Sequence, residues 1–254
     1  MKRSPLKRST LRSFWREWGS PVAFALLFTQ FGATAVRVDG ASMMPGLRHG
    51  EWLAVPKVEG WAHHLGAGGY HRGDVVVFKP PREAAGERTH VYRGVTLPWA
   101  YRPYLVKRVV ALPGDRVRMN RGGLYVNGRA VKQAWTLPFW AKLCLDRGSV
   151  LASSVAAAPD EMNRREVTVP PGHYFVMGDN RSPGGSLDSR VFGSVATTDI
   201  AGRAVASVWP LAVPERATPP CDGQPAPERR VTYRGPSRWN PRLLRPPEGL
   251  EEVR

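Results

Sequence analysis

Apolar residues along the chain fall into one long run near the N-terminus and many short runs behind it. Trp18 to Val36, WGSPVAFALLFTQFGATAV, holds no charged residue in 19 positions. As a helix it would measure about 28 Å at about 1.5 Å per residue, just enough to span a bilayer core. Pro21, Thr29 and Gln30 interrupt its apolarity, as they would in a buried core helix. The flank favours the membrane. Lys2, Arg3, Lys7, Arg8, Arg12 and Arg16 all precede the run, as a cytoplasmic N-terminus requires. Ala33-Thr34-Ala35 also fits the small-x-small pattern of a cleavable leader. Retention as an anchor is preferred, because the candidate chemistry begins so close behind it.

Beyond Val36 the runs are short, rich in Val and separated by turn residues. EWLAVP (51–56), DVVVFK (74–79), YLVKRVVAL (104–112), RVRM (116–119), LYVNG (124–128), REVTVP (165–170), HYFVMG (173–178) and AGRAVASVWP (201–210) read as strands. Helical periodicity is scarce. The expected fold class is mostly β, with long loops at 57–73, 80–103 and 130–164. From Leu211 on, nine prolines and eight arginines in 44 residues predict an extended or disordered tail. Four segments result: a basic cytoplasmic N-terminus (1–17), a transmembrane anchor (18–36), a β domain (37–210) and a Pro/Arg-rich tail (211–254).

Composition narrows the functional classes. A chain of 254 residues with 42% apolar content holds one domain of about 150 to 200 residues plus appendages. Its net charge of +16 could attract nucleic acid or an anionic surface, but the charge is spread out: +5 over 1–17, +2 over 211–254 and +9 between. With no dense basic cluster and no nucleic-acid motif, nucleic acid is not an expected partner. Cys144 and Cys221 have 76 residues between them and no Cys or His at metal-ligand spacing. No metal and no cofactor are expected, and two free or buried thiols are favoured over a disulfide.

The candidate chemistry starts at VDGASMMPGL (38–47), where Ser42 sits between small residues and two methionines. A serine nucleophile needs a base. None of the six histidines stands in an informative setting, and no G-x-S-x-G elbow occurs. A lysine serves if apolar burial keeps it neutral. Strand alternation in YLVKRVVAL puts Leu105, Lys107, Val109 and Ala111 on one face and Val106, Arg108 and Val110 on the other. Arg108 stays protonated and cannot be the base. Two readings of this pair remain open: a catalytic amine among aliphatic side chains, or two edge-strand charges reaching solvent. Ser42 is equally open between a nucleophile and an ordinary turn serine, and Met43 and Met44 suit contact with lipid or an apolar ligand.

Four blocks carry more information together. SMMPGL (42–47), GDVVVF (73–78), KRVVALPGDRV (107–117) and HYFVMGDNRSPGGSLDSRVFG (173–193), in this order behind the apolar run, resemble bacterial type I signal peptidases, with similarity from about residue 18 to residue 210. The resemblance implies a membrane-anchored, β-barrel-like catalytic domain with long loops behind a single transmembrane helix. It implies a serine endopeptidase that removes N-terminal signal peptides from exported preproteins, cutting after small residues at −1 and −3. On it, Ser42 matches the acyl-forming nucleophile and Lys107 the general base. Ser186 matches the serine that orients the lysine amine, and Asp188 and Arg190 match a supporting ion pair. The oxyanion hole falls to the Ser42 amide with a contribution from Gly40. Met43, Met44, Pro45, Gly178, Asp179, Asn180 and Arg181 fall to substrate binding or structural support.

The implied partners are preprotein signal peptides and the phospholipid bilayer, with the oligomeric state undefined. The implied place is the cytoplasmic membrane, crossed once, with the catalytic domain on the outer or periplasmic face and the methionines able to dip into the outer leaflet. Three positions depart from the family pattern. Gly46 replaces the usual threonine, which suggests a looser turn. Gly40 stands where many Gram-negative members carry a serine donor. Two additional residues separate Arg181 from Ser186, and Pro183, Gly184 and Gly185 can absorb them as a loop. Two rival readings are a pilin-processing peptidase of conjugative transfer with the same Ser-Lys chemistry, and a catalytically silent membrane-anchored binding domain. A self-cleaving repressor of the same chemistry would need a DNA-binding domain, for which residues 1–36 are too short and too hydrophobic.

Overall fold

A computed structural model describes residues 15–27, 32–82, 89–92, 95–120, 123–138, 166–181, 185–214 and 237–250. Strands run in chain order as β1 (Ala33–Arg37), β2 (Trp52–Pro56), β3 (Val75–Phe78), β4 (Thr89–Tyr92), β5 (Val95–Tyr101), β6 (Leu105–Ala111), β7 (Arg116–Asn120), β8 (Gly123–Val126) and β9 (Arg129–Ala130). They continue as β10 (Val167–Thr168), β11 (His173–Met177), β12 (Val195–Ala196), β13 (Ile200–Ala204), β14 (Ala206–Trp209), β15 (Ala212–Pro214), β16 (Ser237–Trp239) and β17 (Arg242–Leu243). Helices are short: α1 (Ser20–Leu27) behind a π-helical turn at Trp15–Gly19, α2 (Lys57–His64) and α3 (Ser189–Phe192). The expected mostly β class holds. Among the described residues the strands form five antiparallel sheets, none closed on itself into a barrel.

The central sheet has the order β12-β11-β6-β3-β13 and places β6 in its middle. β3 is an uninterrupted apolar run, and β6 is buried from Val106 to Ala111 with Lys107 and Arg108 included, because both faces of the sheet are covered there. On one side Val76, Phe78, Val109, Val176 and Ile200 pack together; on the other Val75, Val77 and Val106 join Val38, Leu47, Leu53 and Val55. A third cluster joins Val110, Ala111, Phe175 and Met177 to β7 and β8. Adjacent residues of β11, Phe175 and Val176, pair with Ala111 and Val109, so Val110 is an extra residue in β6. That bulge explains why Val110 and Ala111 both reach the same core, against the simple alternation expected for them.

Several expectations need correction. Lys107 and Arg108 lie on a central strand rather than an edge, and both are buried. The apolar run does not stay helical to Val36: Ala33–Arg37 forms β1, whose five residues pair with all of β2. No helix among the described residues is long and apolar enough to cross a membrane. The 57–73 loop contains α2, whose Gly60 packs against the Ala201 carbonyl where a Cβ would stand 2.8 Å away. The 80–103 loop contains the β4–β5 hairpin.

Part of the tail is ordered and docked on the domain. β15 pairs with β16, β17 pairs with β14, and Leu250 is fully buried in the β7–β8 core. Few apolar side chains suffice because they dock on a core that the rest of the chain has built. Residues 1–14, most of the 130–164 insert, Cys144, Cys221 and residues 215–236 lie outside the described residues.

Candidate active site

The loop between β1 and β2 carries Ser42. The hydrogen bonds Val38 N to Glu51 O (2.7 Å) and Gly50 N to Val38 O (2.9 Å) prolong the hairpin and close the loop at its base. Inside it, Met44 N donates to Ala41 O and Leu47 N to Met43 O, winding residues 41–47 into a tight turn. Met43 and Met44 are 1% and 6% exposed, and Met43 packs with Val38, Leu47 and Leu53. Both side chains are buried beneath the turn and do not present the exposed apolar surface expected for contact with lipid. Pro45 follows a cis peptide in the same turn and is half-buried. Gly40 has φ +83°, a backbone region that favours glycine. Its amide donates to His49 Nδ1 at 3.0 Å and is therefore engaged away from the expected oxyanion role.

Register brings the base candidate to this turn. Lys107 pairs with Val76 across β3 and is 3% exposed. Its Nζ lies 2.7 Å from Ser42 Oγ and 3.1 Å from the Val106 carbonyl oxygen. Arg108, the next residue, pairs with Met177 of β11. Two residues past Met177, Asp179 receives Arg108 Nε at 2.8 Å on one oxygen and Nη2 at 2.6 Å on the other. Such a fork-to-carboxylate pair fixes both planes. Arg108 Nη1 donates to Gly73 O at 2.7 Å, so GDVVVF at 73–78 is tied to the same centre.

The turn after β11 clasps the nucleophile loop from the other side. Asn180 N donates to Ser42 O at 3.0 Å and its Nδ2 to Ala41 O at 3.3 Å. Gly178 stands so close that a Cβ there would overlap Ser186 Oγ and Ser42 O. Asp179 is fully buried; Trp135 Nε1 donates to its carboxylate at 3.1 Å, and Thr136 Oγ1 donates to its carbonyl. Arg181 Nη1 donates to Gln133 Oε1 at 2.5 Å, while its Nε and Nη2 are buried without a hydrogen-bond partner among the described residues. That burial, with the nearby Arg190 cation adding to it, pulls Arg181 down to about 10.

Asp188 opens α3 and caps it by accepting Arg190 N at 3.2 Å. Its carboxylate also receives Arg190 Nε and Nη2, each at 2.8 Å, Gly178 N at 2.8 Å and Ser186 Oγ at 2.7 Å. Burial alone would push this carboxyl up. The Arg190 charge and these donors outweigh it and hold Asp188 below the ordinary carboxylate range.

The arrangement is a serine hydroxyl against a buried amine, set between two buried Arg-Asp pairs. A family model described as signal peptidase, peptidase S26, matches residues 11–209. The chain belongs to that family. It is a serine peptidase of the signal peptidase I type, which removes signal peptides. Curated relatives agree. Probable signal peptidase I-2 of Synechocystis sp. is 28% identical over 82% of this chain and 79% of its own length. Probable signal peptidase I-1 of the same organism is 32% identical over 74% and 78%. Signal peptidase IB of Staphylococcus aureus is 32% identical over 75% and 86%. Membrane association and preprotein signal peptides as substrates follow from the family.

Some residues at the site carried no readable signal. Arg108 was legible only as a charge unfit to be a base, because its partner lies 71 positions away. Gln133, Trp135 and Thr136 come from a stretch without motif character, and only the folded chain brings them to Asp179 and Arg181. Gly46 does not loosen its turn: a Cβ there would overlap Asp179 Oδ2, so the missing side chain is what lets the Arg108–Asp179 pair sit against the loop.

Proposed function

We propose that the chain cleaves preproteins by a Ser42–Lys107 acyl-enzyme mechanism, cutting after small residues at −1 and −3. The observation that carries this is the 2.7 Å separation of Lys107 Nζ from Ser42 Oγ in a buried setting. Lys107, neutral, takes the Ser42 proton as Oγ bonds to the scissile carbonyl carbon. The tetrahedral intermediate collapses, the C–N bond breaks, and the Lys107 ammonium protonates the departing amine. Water then attacks the acyl ester, giving a proton to Lys107, and the acid leaves as Ser42 Oγ regains its hydrogen.

The Ser42 amide is assigned to the oxyanion. Asn180 holds the Ser42 carbonyl, which fixes the backbone around that amide. Ser186 acts beside the pair: its hydroxyl is held by Asp188 and borders Gly178 next to Ser42 O, which supports a role in positioning the lysine amine. A cavity of about 570 Å³ along β1 is lined by Val36, Val55, Trp61, Val77 and Tyr104 together with Lys57 and His64, and neither Ser42 nor Lys107 is among its lining residues. Residues 18–32 tether this domain to the cytoplasmic membrane, with the catalytic domain on its outer face.

The test is cleavage of a peptide whose leader ends in Ala-x-Ala. Ser42→Ala and Lys107→Met should each lower kcat by at least about 10²-fold, within the range for loss of a general base. Full activity in the lysine variant would refute the mechanism. Cleavage of pilin precursors alone, with other exported preproteins untouched, would favour the conjugative-transfer reading.

A further inference from the structure

The segment 237–250 lies beyond the residues that the family model matches, yet it returns to the nucleophile loop. Resting on the Ser42 mechanism above, we infer that it is a positioning strap and that Arg242 is its working residue. β17 pairs with β14 at Ala206↔Leu243 and Ser207↔Arg242, which aims the Arg242 guanidinium at the loop. Nη2 donates to the Gly46 carbonyl at 2.7 Å and to Glu51 Oε2 at 2.9 Å; Nη1 donates to Asn240 Oδ1 at 2.7 Å.

Glu51 is 1% exposed, and such a buried carboxylate is tolerated only when it is paired and hydrogen-bonded. Arg242 supplies the charge, Ser207 Oγ donates at 2.8 Å, and Arg48 N donates at 3.2 Å. One planar group thus joins the end of the Ser42 turn, at Gly46, to the base of its loop, at Glu51. Lysine, a point charge, lacks the fork for this. Gly46 has no side chain with which to anchor itself, so its carbonyl is the handle.

The strap continues into the other half of the site. Leu244 packs on the core that holds Met43, and Pro246 lies against Gly73, whose carbonyl holds Arg108. Leu250 pins the end of the segment in the β7–β8 core. An error of about 1 Å in the placement of a reacting group costs on the order of 10²-fold in rate, so a clamp four residues from Ser42 bears on kcat.

The experiment compares wild type, Arg242→Ala, Arg242→Lys and, as a control, Leu243→Ser at an exposed position of the same strand, all as full chains in detergent micelles. Two readouts are taken: kcat and KM on the Ala-x-Ala peptide, and hydrogen exchange of peptides covering 42–51 and 116–126. For Arg242→Ala the expected result is kcat lower by about 10- to 100-fold, KM within about twofold, and exchange over 42–51 at least about tenfold faster with 116–126 unchanged. Arg242→Lys should recover part of the rate, and Leu243→Ser should match wild type. Unchanged exchange over 42–51 overturns the inference whatever happens to kcat, as does faster exchange with kcat within twofold of wild type. A wild-type chain that fails to cut the peptide would count against the proposed function, while exchange would still decide the strap.

Discussion

At the scale of single residues, the site depends on where space is absent as much as on where groups are present. Gly178 is an instance: the Ser186 hydroxyl and the Ser42 carbonyl occupy the place of its missing side chain. Gly178→Ala should leave the fold intact and push one of these two aside. We expect kcat to fall by about 10- to 100-fold, the scale of a small misplacement, with far-UV circular dichroism unchanged. Activity within twofold of wild type would mean that neither neighbour needs its present position. Ser42 and Lys107 were legible as a candidate pair only through the ordered blocks that resemble the family, since local chemistry, a hydroxyl in a turn and an amine among aliphatic residues, left each open. Their partners were not, since Arg108–Asp179 and Asn180–Ser42 join residues far apart in the chain.

At the scale of elements, α3 shows how a short helix is kept in place. Four residues cannot sustain a helix by propensity alone. Asp188 caps the element, pairs with Arg190 and accepts the Gly178 amide, linking α3 to the end of β11. Because its folded pKa is depressed, this carboxylate contributes stability that is present above the unfolded value of about 3.9 and lost as pH falls through the folded one. Asp188→Asn removes the charge and strands a buried guanidinium, at a cost of about 3 to 5 kcal/mol. Thermal melts at several pH values check this. The gap between wild type and variant should be constant from about pH 8 to pH 5 and should narrow below about pH 4. A gap independent of pH down to pH 3 would show that the Asp188 charge is not the source.

At the scale of the whole molecule, the folded domain begins earlier than the apolar run suggests. β1 begins at Ala33 and pairs along its whole length with β2, so residues 33–37 belong to the folded domain. A variant lacking residues 1–32 should fold with a melting midpoint close to wild type and lose flotation with lipid vesicles. One lacking 1–37 should lose the β1–β2 pairing and melt well below it. If the first variant floats as the full chain does, the tether assignment for 18–32 is wrong. The tail makes the same point at the other end, where Pro- and Arg-rich composition reads as unstructured although its last part docks by one strand, one clamp and one buried Leu250.

The sequence by itself determined the strand-rich class and the order of the four blocks, because each rests on residue type and short spacing; it pointed to Ser42 and Lys107 only through the family resemblance that those blocks carry. Tertiary structure alone decided that β6 is central rather than an edge, that Met43 and Met44 point inward, and that Arg242 reaches Gly46. Those outcomes depend on which strands pair and in what register, and pairing energy is shared among residues too distant in the chain for any local pattern to record.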